Sequence, residues 1–213
     1  YGGSHNLLSY TLARFGIQTT FVKPLDIDGW RAAIRPTTRL LFGETLGNPG
    51  LEVLDIPAVS GVAHDAGLPL LVDATFTTPW LMQPFEHGAD LLYHSATKFL
   101  GGHGTAIAGA IVDGGSFDFS SNDKFPMFTE PDPSYHGLAY WPALGPGSYI
   151  IKARVQLLRD IGAAVSPFNA FLLIQGIETL SLRMDRHVAN AQKVAEYLEG
   201  HDQVESVAYA GLA

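Results

Sequence analysis

The sequence predicts an α/β protein whose mostly parallel sheet is flanked by helices. Three observations carry that expectation. Strand-like and helix-like segments alternate along the chain. Several strand-like runs, among them PLLVD (69–73) and DLLYHS (90–95), are apolar almost throughout, as strands buried on both faces are. Caps, prolines and glycines separate the segments at the expected places.

The elements follow in order. Residues 4–15 carry apolar side chains at helical spacing, with Ser4 as the cap and Gly16 as the stop. Thr19–Val22 reads as a short strand, residues 28–34 as a brief helix ended by Pro36, and residues 39–44 as a strand closing on a carboxylate. Gly47-Asn48-Pro49-Gly50 is a turn cluster. Asp55-Ile56-Pro57 opens a helix by cap and proline, and Gly67 closes it. Strands are expected at 69–73, 90–95 and 105–113. Residues 120–149 hold five prolines and many aromatics without periodicity, an unusually long irregular stretch that the aromatics argue is ordered. Helices are expected at 149–161, 167–175 and 177–198, and a last strand at 203–209.

Composition narrows the function classes. The chain has 213 residues, 46% hydrophobic and only 16% charged, which excludes a disordered segment and fits a large buried core. The low charge also fits surfaces that another domain or subunit covers. Thirteen Lys and Arg against 21 Asp and Glu leave a net charge of −8, opposite to the basic stripe of a nucleic-acid binder. No cysteine is present, so disulfides and thiolate chemistry are out. The eight histidines are scattered and form no H-x-x-x-H pair, so no metal site is expected. No run is long and apolar enough for a membrane span, and a cytoplasmic location is the simplest expectation.

Ligands of open α/β sheets sit outside the carboxyl ends of the strands, which directs attention to Glu44, Asp73 and Ser95 onward. In SATKFLGGHG (95–104), Lys98 follows two hydroxyls directly after a buried strand. Such a lysine forms a Schiff base when a desolvating pocket activates its amine, and Ser95 and Thr97 are placed to hold a phosphate. Alone, Lys98 reads more simply as a surface group. Asp73 ends a strand too apolar to bury a carboxylate without a partner, and a protonated pyridine nitrogen suits it. A cap or a structural ion pair suits Asp73 as well. The pair is stronger than its members: two parallel strands ending in Asp73 and, 25 residues on, in the Lys98 block would open into one cleft.

The segments SATKFLGGHG, LVDATFTTPW, FGETLGNPG and the opening YGGSHNL resemble the Cys/Met-metabolism family of pyridoxal-phosphate enzymes, collinearly over the whole chain. Ala74 and Trp80 depart from that family's usual Asn and Tyr. The resemblance implies the large domain of a fold-type I pyridoxal-phosphate transferase, incomplete at both ends. Residues 1–200 would be its central part, and 201–213 the start of a connection to a missing C-terminal domain. Lys98 would then carry pyridoxal 5'-phosphate, Asp73 would bind its ring nitrogen, and Ser95 and Thr97 its phosphate. Tyr1 would stack on the ring and assist proton transfer. Thr75, Glu44 and Asn48 would lie near the cofactor.

The stretch FTEPDPSYHGLAYW (128–141) and the residues after it resemble the O-acetylhomoserine sulfhydrylases of that family. The implied reaction is γ-replacement on O-acetyl-L-homoserine by sulfide or a thiol, giving homocysteine or methionine and acetate, in a homotetramer. Cystathionine γ-synthase, γ-lyase or methionine γ-lyase chemistry on the same cofactor is the neighbouring reading. A non-catalytic fragment lacking the substrate-binding domain is the remaining one.

Overall fold

The computed structural model describes residues 1–212. Four strands, β1 (Leu41–Glu44), β2 (Leu70–Asp73), β3 (Leu91–Ser95) and β4 (Gly109–Asp113), form one sheet in that order. β1, β2 and β3 are parallel, and β4 runs antiparallel to β3. The mostly parallel sheet of the sequence is therefore present with one reversed edge. The β3–β4 link carries the Lys98 block and no helix of its own, so it returns the chain alongside β3.

Four helices of a turn and a half or more accompany the sheet: α1 (Ile27–Ala33), α2 (Ile56–Asp65), α3 (Pro167–Glu178) and α4 (Leu180–Glu199). Their starts are written locally. Asp26 accepts from Gly29 N, Asp55 from Ala58 N at 3.0 Å, and Ser166 from Asn169 N, each satisfying an amide the helix leaves free. Gly67, at φ +64°, follows α2 in a conformation that a side chain would strain.

Leu41, Leu70, Val72 and Leu92 point to one face of the sheet and pack with Trp30 and with Ile56, Val59, Val62 and Ala63 of α2. The aromatic stretch closes the same core. Phe117, Phe119, Phe125, Phe128 and Tyr140 are buried in it, and Phe119 stacks on Phe128 with ring centroids 4.3 Å apart. Asp132 ties the stretch down by accepting from Ser134, from Lys152 Nζ at 2.9 Å and from Gln156. Hydrogen bonds from Ser134, then from Lys152, hold the Asp132 carboxyl well below the usual carboxylate range. The 120–149 stretch is thus folded into the core through its aromatic rings.

At the opposite end of the sheet from the strand termini, Asp90 is almost fully buried and accepts from Leu70 N at 2.9 Å and Ser116 Oγ at 3.1 Å. His64 Nε2 lies 2.8 Å from it, and Ser60 Oγ lies 3.3 Å from His64 Nδ1. The Ser–His–Asp order resembles an acyl-transfer triad, but Ser60 is buried and its hydroxyl donates to Gly88 O at 2.7 Å. The group braces α2 against β2 and the loop before β3.

Several expectations need correction. Thr19–Val22 and residues 203–209 are not strands. Strand propensity is realised only where a neighbour supplies hydrogen bonds. No backbone group of residues 18–22 meets a backbone partner among the described residues, and Val204 N is taken by a turn to His201 O. The 4–15 helix is present as three pieces, α-helical Gly2–Asn6, a π turn Leu7–Thr11 and a 3₁₀ turn Leu12–Phe15, without a Ser4 cap. The 149–161 helix is likewise interrupted by a π segment, Ala153–Leu158. The last two helices meet at Thr179, so α3 extends to Glu178 and α4 begins at Leu180. No helix among the described residues is long and apolar enough to cross a membrane.

Candidate active site

Parallel register sets the first row of the site. Glu44 aligns with Asp73, and Asp73 with Tyr93, across the ends of β1, β2 and β3. Aligned residues share a sheet face, here the one opposite Leu41, Val72 and Leu92. Two carboxylates and a phenol therefore stand side by side at the carboxyl edge.

Short contacts extend the row towards Lys98. Thr75 N donates to Asp73 Oδ1 at 2.9 Å, so the chain after β2 turns back over its own carboxylate. Ser95 N donates to Thr75 Oγ1 at 2.8 Å, and Lys98 N to Ser95 O at 3.1 Å. Asp73, Thr75, Ser95 and Lys98 are thus linked by consecutive hydrogen bonds. At the other end, the Tyr1 backbone nitrogen lies 2.6 Å from Glu44 Oε1. Tyr1, Glu44 and Asn48 line one cavity, with Asn48 exposed at its rim.

Two expected residues are placed differently from their implied roles. Lys98 is exposed, without the desolvating pocket that the sequence reading expected. Its Nζ has no hydrogen-bond or ionic partner among the described residues. Thr97 turns its hydroxyl to Ala108, just before β4, donating to its carbonyl O at 3.2 Å and accepting from its N at 3.1 Å. Its proton is committed there, whereas the Ser95 hydroxyl is not held by the backbone.

The lysine loop is fixed from behind. Arg183 of α4 donates from Nη1 to Phe99 O at 2.8 Å and from Nη2 to Gly176 O at 2.6 Å. Gly176 of α3 packs so closely on the loop that a Cβ there would run into the carbonyl of Gly101. Trp80 Nε1 donates to Asp185 at 2.7 Å, joining α4 to the loop after β2. Sequence reading missed Arg183 and Gly176, because their partners lie about 75 to 84 residues away and no local pattern marks them.

Tyr93 was also missed as a site residue. Burial pushes the Tyr93 phenol above its ordinary value, the Asp73 carboxylate adds to this, and the Ser95 side chain opposes it, so the phenol keeps its proton. His94 points to the packed face and is only 4% exposed. Its Nδ1 has no partner among the described residues. Burial pulls its pKa below the ordinary value of 6.5, against the pull of Ala74's backbone and Asp73. The unfolded chain therefore takes up this proton before the folded chain does. The stabilisation from a neutral His94 is complete above about pH 6.5 and is lost as pH falls from there towards the folded value. The urea midpoint should accordingly drop on acidification below pH 6.5, and His94→Gln should shrink that drop. An undiminished drop in the variant would assign it to other groups.

The whole chain, residues 1–213, matches the family described as Cys/Met metabolism PLP-dependent enzyme. The chain belongs to this family. Among its relatives, the O-acetyl-L-homoserine sulfhydrylase of Leptospira meyeri is 53% identical, over all of this chain and 50% of its own length. A homocysteine synthase of Schizosaccharomyces pombe is 50% identical, again over all of this chain and 50% of its own. A Campylobacter jejuni crystal structure assigned as an O-acetylhomoserine (thiol)-lyase superposes with a TM-score of 0.96 at 39% identity, covering all of this chain and 53% of that one. It contains N'-pyridoxyl-lysine-5'-monophosphate at position 205. A Wolinella succinogenes O-acetylhomoserine sulfhydrylase superposes at 0.86 with 36% identity. This chain spans about half the length of the curated relatives it matches.

The family's cofactor fits the residues present. One oxygen of Asp73 is held by Thr75 N, and the other takes no hydrogen bond among the described residues, leaving an anionic acceptor at the strand end. Lys98, with its amine unpartnered among the described residues, lies on the loop after β3, and Ser95, the last residue of β3, bonds Thr75 through its backbone.

Proposed function

We propose that this chain is the cofactor-bearing part of an enzyme that performs γ-replacement on O-acetyl-L-homoserine with sulfide or a thiol, giving homocysteine or methionine and acetate. The observation that carries the reading is the hydrogen-bonded series from Asp73 through Thr75 and Ser95 to Lys98. It ties the Asp73 carboxylate to the backbone of the loop that carries Lys98, at one sheet edge. The names of the relatives supply the substrate class. In the same reading, residues 1–200 belong to the cofactor domain.

Bound here, pyridoxal phosphate supplies an electron-poor ring that takes up the electron pair left when a substrate C–H bond breaks. Asp73 keeps a proton on the ring nitrogen, which is what makes the ring electron-poor. Lys98 Nζ holds the cofactor between turnovers. During turnover it would move the Cα proton and then the Cβ proton one at a time as general base and acid, passing on the first before it takes the second. Acetate leaves Cγ with its bonding pair, and the sulfur nucleophile adds at the same carbon. Ser95 donates to the phosphate. Thr97 would do so only on turning its hydroxyl from Ala108. Tyr1 would stack on the ring and serve proton transfer, and Glu44, Asn48 and Thr75 would lie near it.

The test uses a chimera in which this chain replaces the matching half of the Leptospira meyeri relative. With pyridoxal phosphate and O-acetyl-L-homoserine, homocysteine and acetate should form only when sulfide is added. Ammonia and a keto acid formed equally without sulfide would replace this reading by γ-elimination.

A further inference from the structure

Of the three polar groups that the sheet register sets side by side, Glu44, Asp73 and Tyr93, only the phenol has no part in the function proposed above. Its place is fixed from two strands. On β3 it comes two residues before Ser95 and so shares a face with it, at the edge from which the Lys98 loop departs. On β4 the residue opposite Ser95 is Gly109. The side chain that Gly109 lacks leaves the space that the phenol fills: a Cβ there would stand 3.3 Å from Tyr93 Cε2 and 3.7 Å from the phenol oxygen. The ring therefore leans along β3 and brings its hydroxyl to the level of the Ser95–Gly109 pair. Tyr93 is half-buried there. Its proton stays on, so the phenol is a donor, and the Ser95 side chain is its hydrogen-bonding neighbour.

We propose that Tyr93 is a positioning residue for the phosphate end of the cofactor: its O–H donates to Ser95 Oγ and so turns the Ser95 proton towards the phosphate. This rests on the reading that gives Ser95 to the phosphate. A serine hydroxyl has one proton and two lone pairs, and its proton rotates unless something holds it. A donor behind the oxygen fixes that rotor before the cofactor arrives, so less is lost on binding. It also polarises the serine O–H, and a bond to an anionic oxygen gains from that. Thr97 cannot act in this way, because its hydroxyl is committed to Ala108. The competing acceptor in the row is the Asp73 oxygen that Thr75 N leaves free. In the function proposed above the ring nitrogen takes that oxygen, which leaves Ser95 to the phenol.

Equilibrium dialysis of the Leptospira meyeri chimera with two probes, pyridoxal 5'-phosphate and pyridoxal, tests this without any turnover. Tyr93→Phe keeps the ring over Gly109 and removes only the hydroxyl. It should weaken pyridoxal 5'-phosphate by about fivefold to tenfold, the scale of one hydrogen bond, and leave pyridoxal, which has no phosphate, within about twofold. Ser95→Ala should show the same selective loss, and a larger one. The double variant should lose no more than Ser95→Ala alone, because Tyr93 acts through Ser95. If Ser95→Ala leaves pyridoxal 5'-phosphate binding intact, the phosphate reading of Ser95 fails and the role of Tyr93 with it. If Ser95→Ala is selective and Tyr93→Phe is silent, the role of Tyr93 alone fails. Equal weakening of both probes by Tyr93→Phe would assign the phenol to Asp73 and the ring. Losses that add would give the phenol a phosphate contact of its own. Each of these four outcomes overturns the proposal.

Discussion

Lys98→Ala is expected to abolish covalent retention of pyridoxal phosphate and to lower turnover of the Leptospira chimera by about 10³-fold or more, the scale on which positioned proton transfer contributes. Borohydride treatment should leave pyridoxyl label on Lys98 in the parent and none in the variant. The melting temperature should barely move. Lys98 is exposed, and its amine meets no partner among the described residues, so truncating it removes no packing and strands no buried group. Loss of label with loss of fold would mean that the lysine loop has a structural role that its exposure contradicts. Label persisting at another lysine would remove Lys98 from the site altogether.

Asp90→Ala should be the costliest single change to stability, at about 3 kcal/mol or more. The carboxylate is 2% exposed and accepts from a buried backbone amide, Leu70 N, as well as from Ser116. Alanine would leave the Leu70 N–H buried without an acceptor and His64 without its partner. Because His64 is itself about half exposed, water replaces much of its lost contact, and the stranded amide dominates. Urea unfolding should show a lower midpoint at unchanged slope. Asp90→Asn keeps an acceptor oxygen and should lose less. A loss below about 1 kcal/mol for alanine would show that the brace is dispensable.

The sequence made the central strands legible because they are apolar over their whole length, a pattern that only burial on both faces sustains. α2 was legible through Asp55 and Pro57, and α1 as a short segment ended by Pro36, signals that act within a few residues of themselves. Asp73 and Lys98 could be paired from spacing once parallel strands were assumed, and the register of β2 with β3 supports that assumption. What failed was whatever depends on a partner. Thr19–Val22 has the composition of a strand and no neighbour to bond with. The reversed direction of β4 is decided by a helix-free link, which composition does not encode. Thr97 looked free because its acceptor and donor, both on Ala108, come from the neighbouring strand's approach. Arg183 shows the same limit from the other side: an ordinary helical arginine that caps carbonyls 83 and 84 residues away.

The contact of Gly176 with the Gly101 carbonyl has a consequence for how this site varies. Main chain rests on main chain there, so the height of the lysine loop above α3 is set by two residues without side chains. Neighbouring side chains can change size and leave that height as it is. A single methyl group at Gly176 cannot, because the loop would have to lift and carry Lys98 with it. Tolerance to substitution around the lysine should therefore be broad, with one narrow exception at a position that bears no functional group.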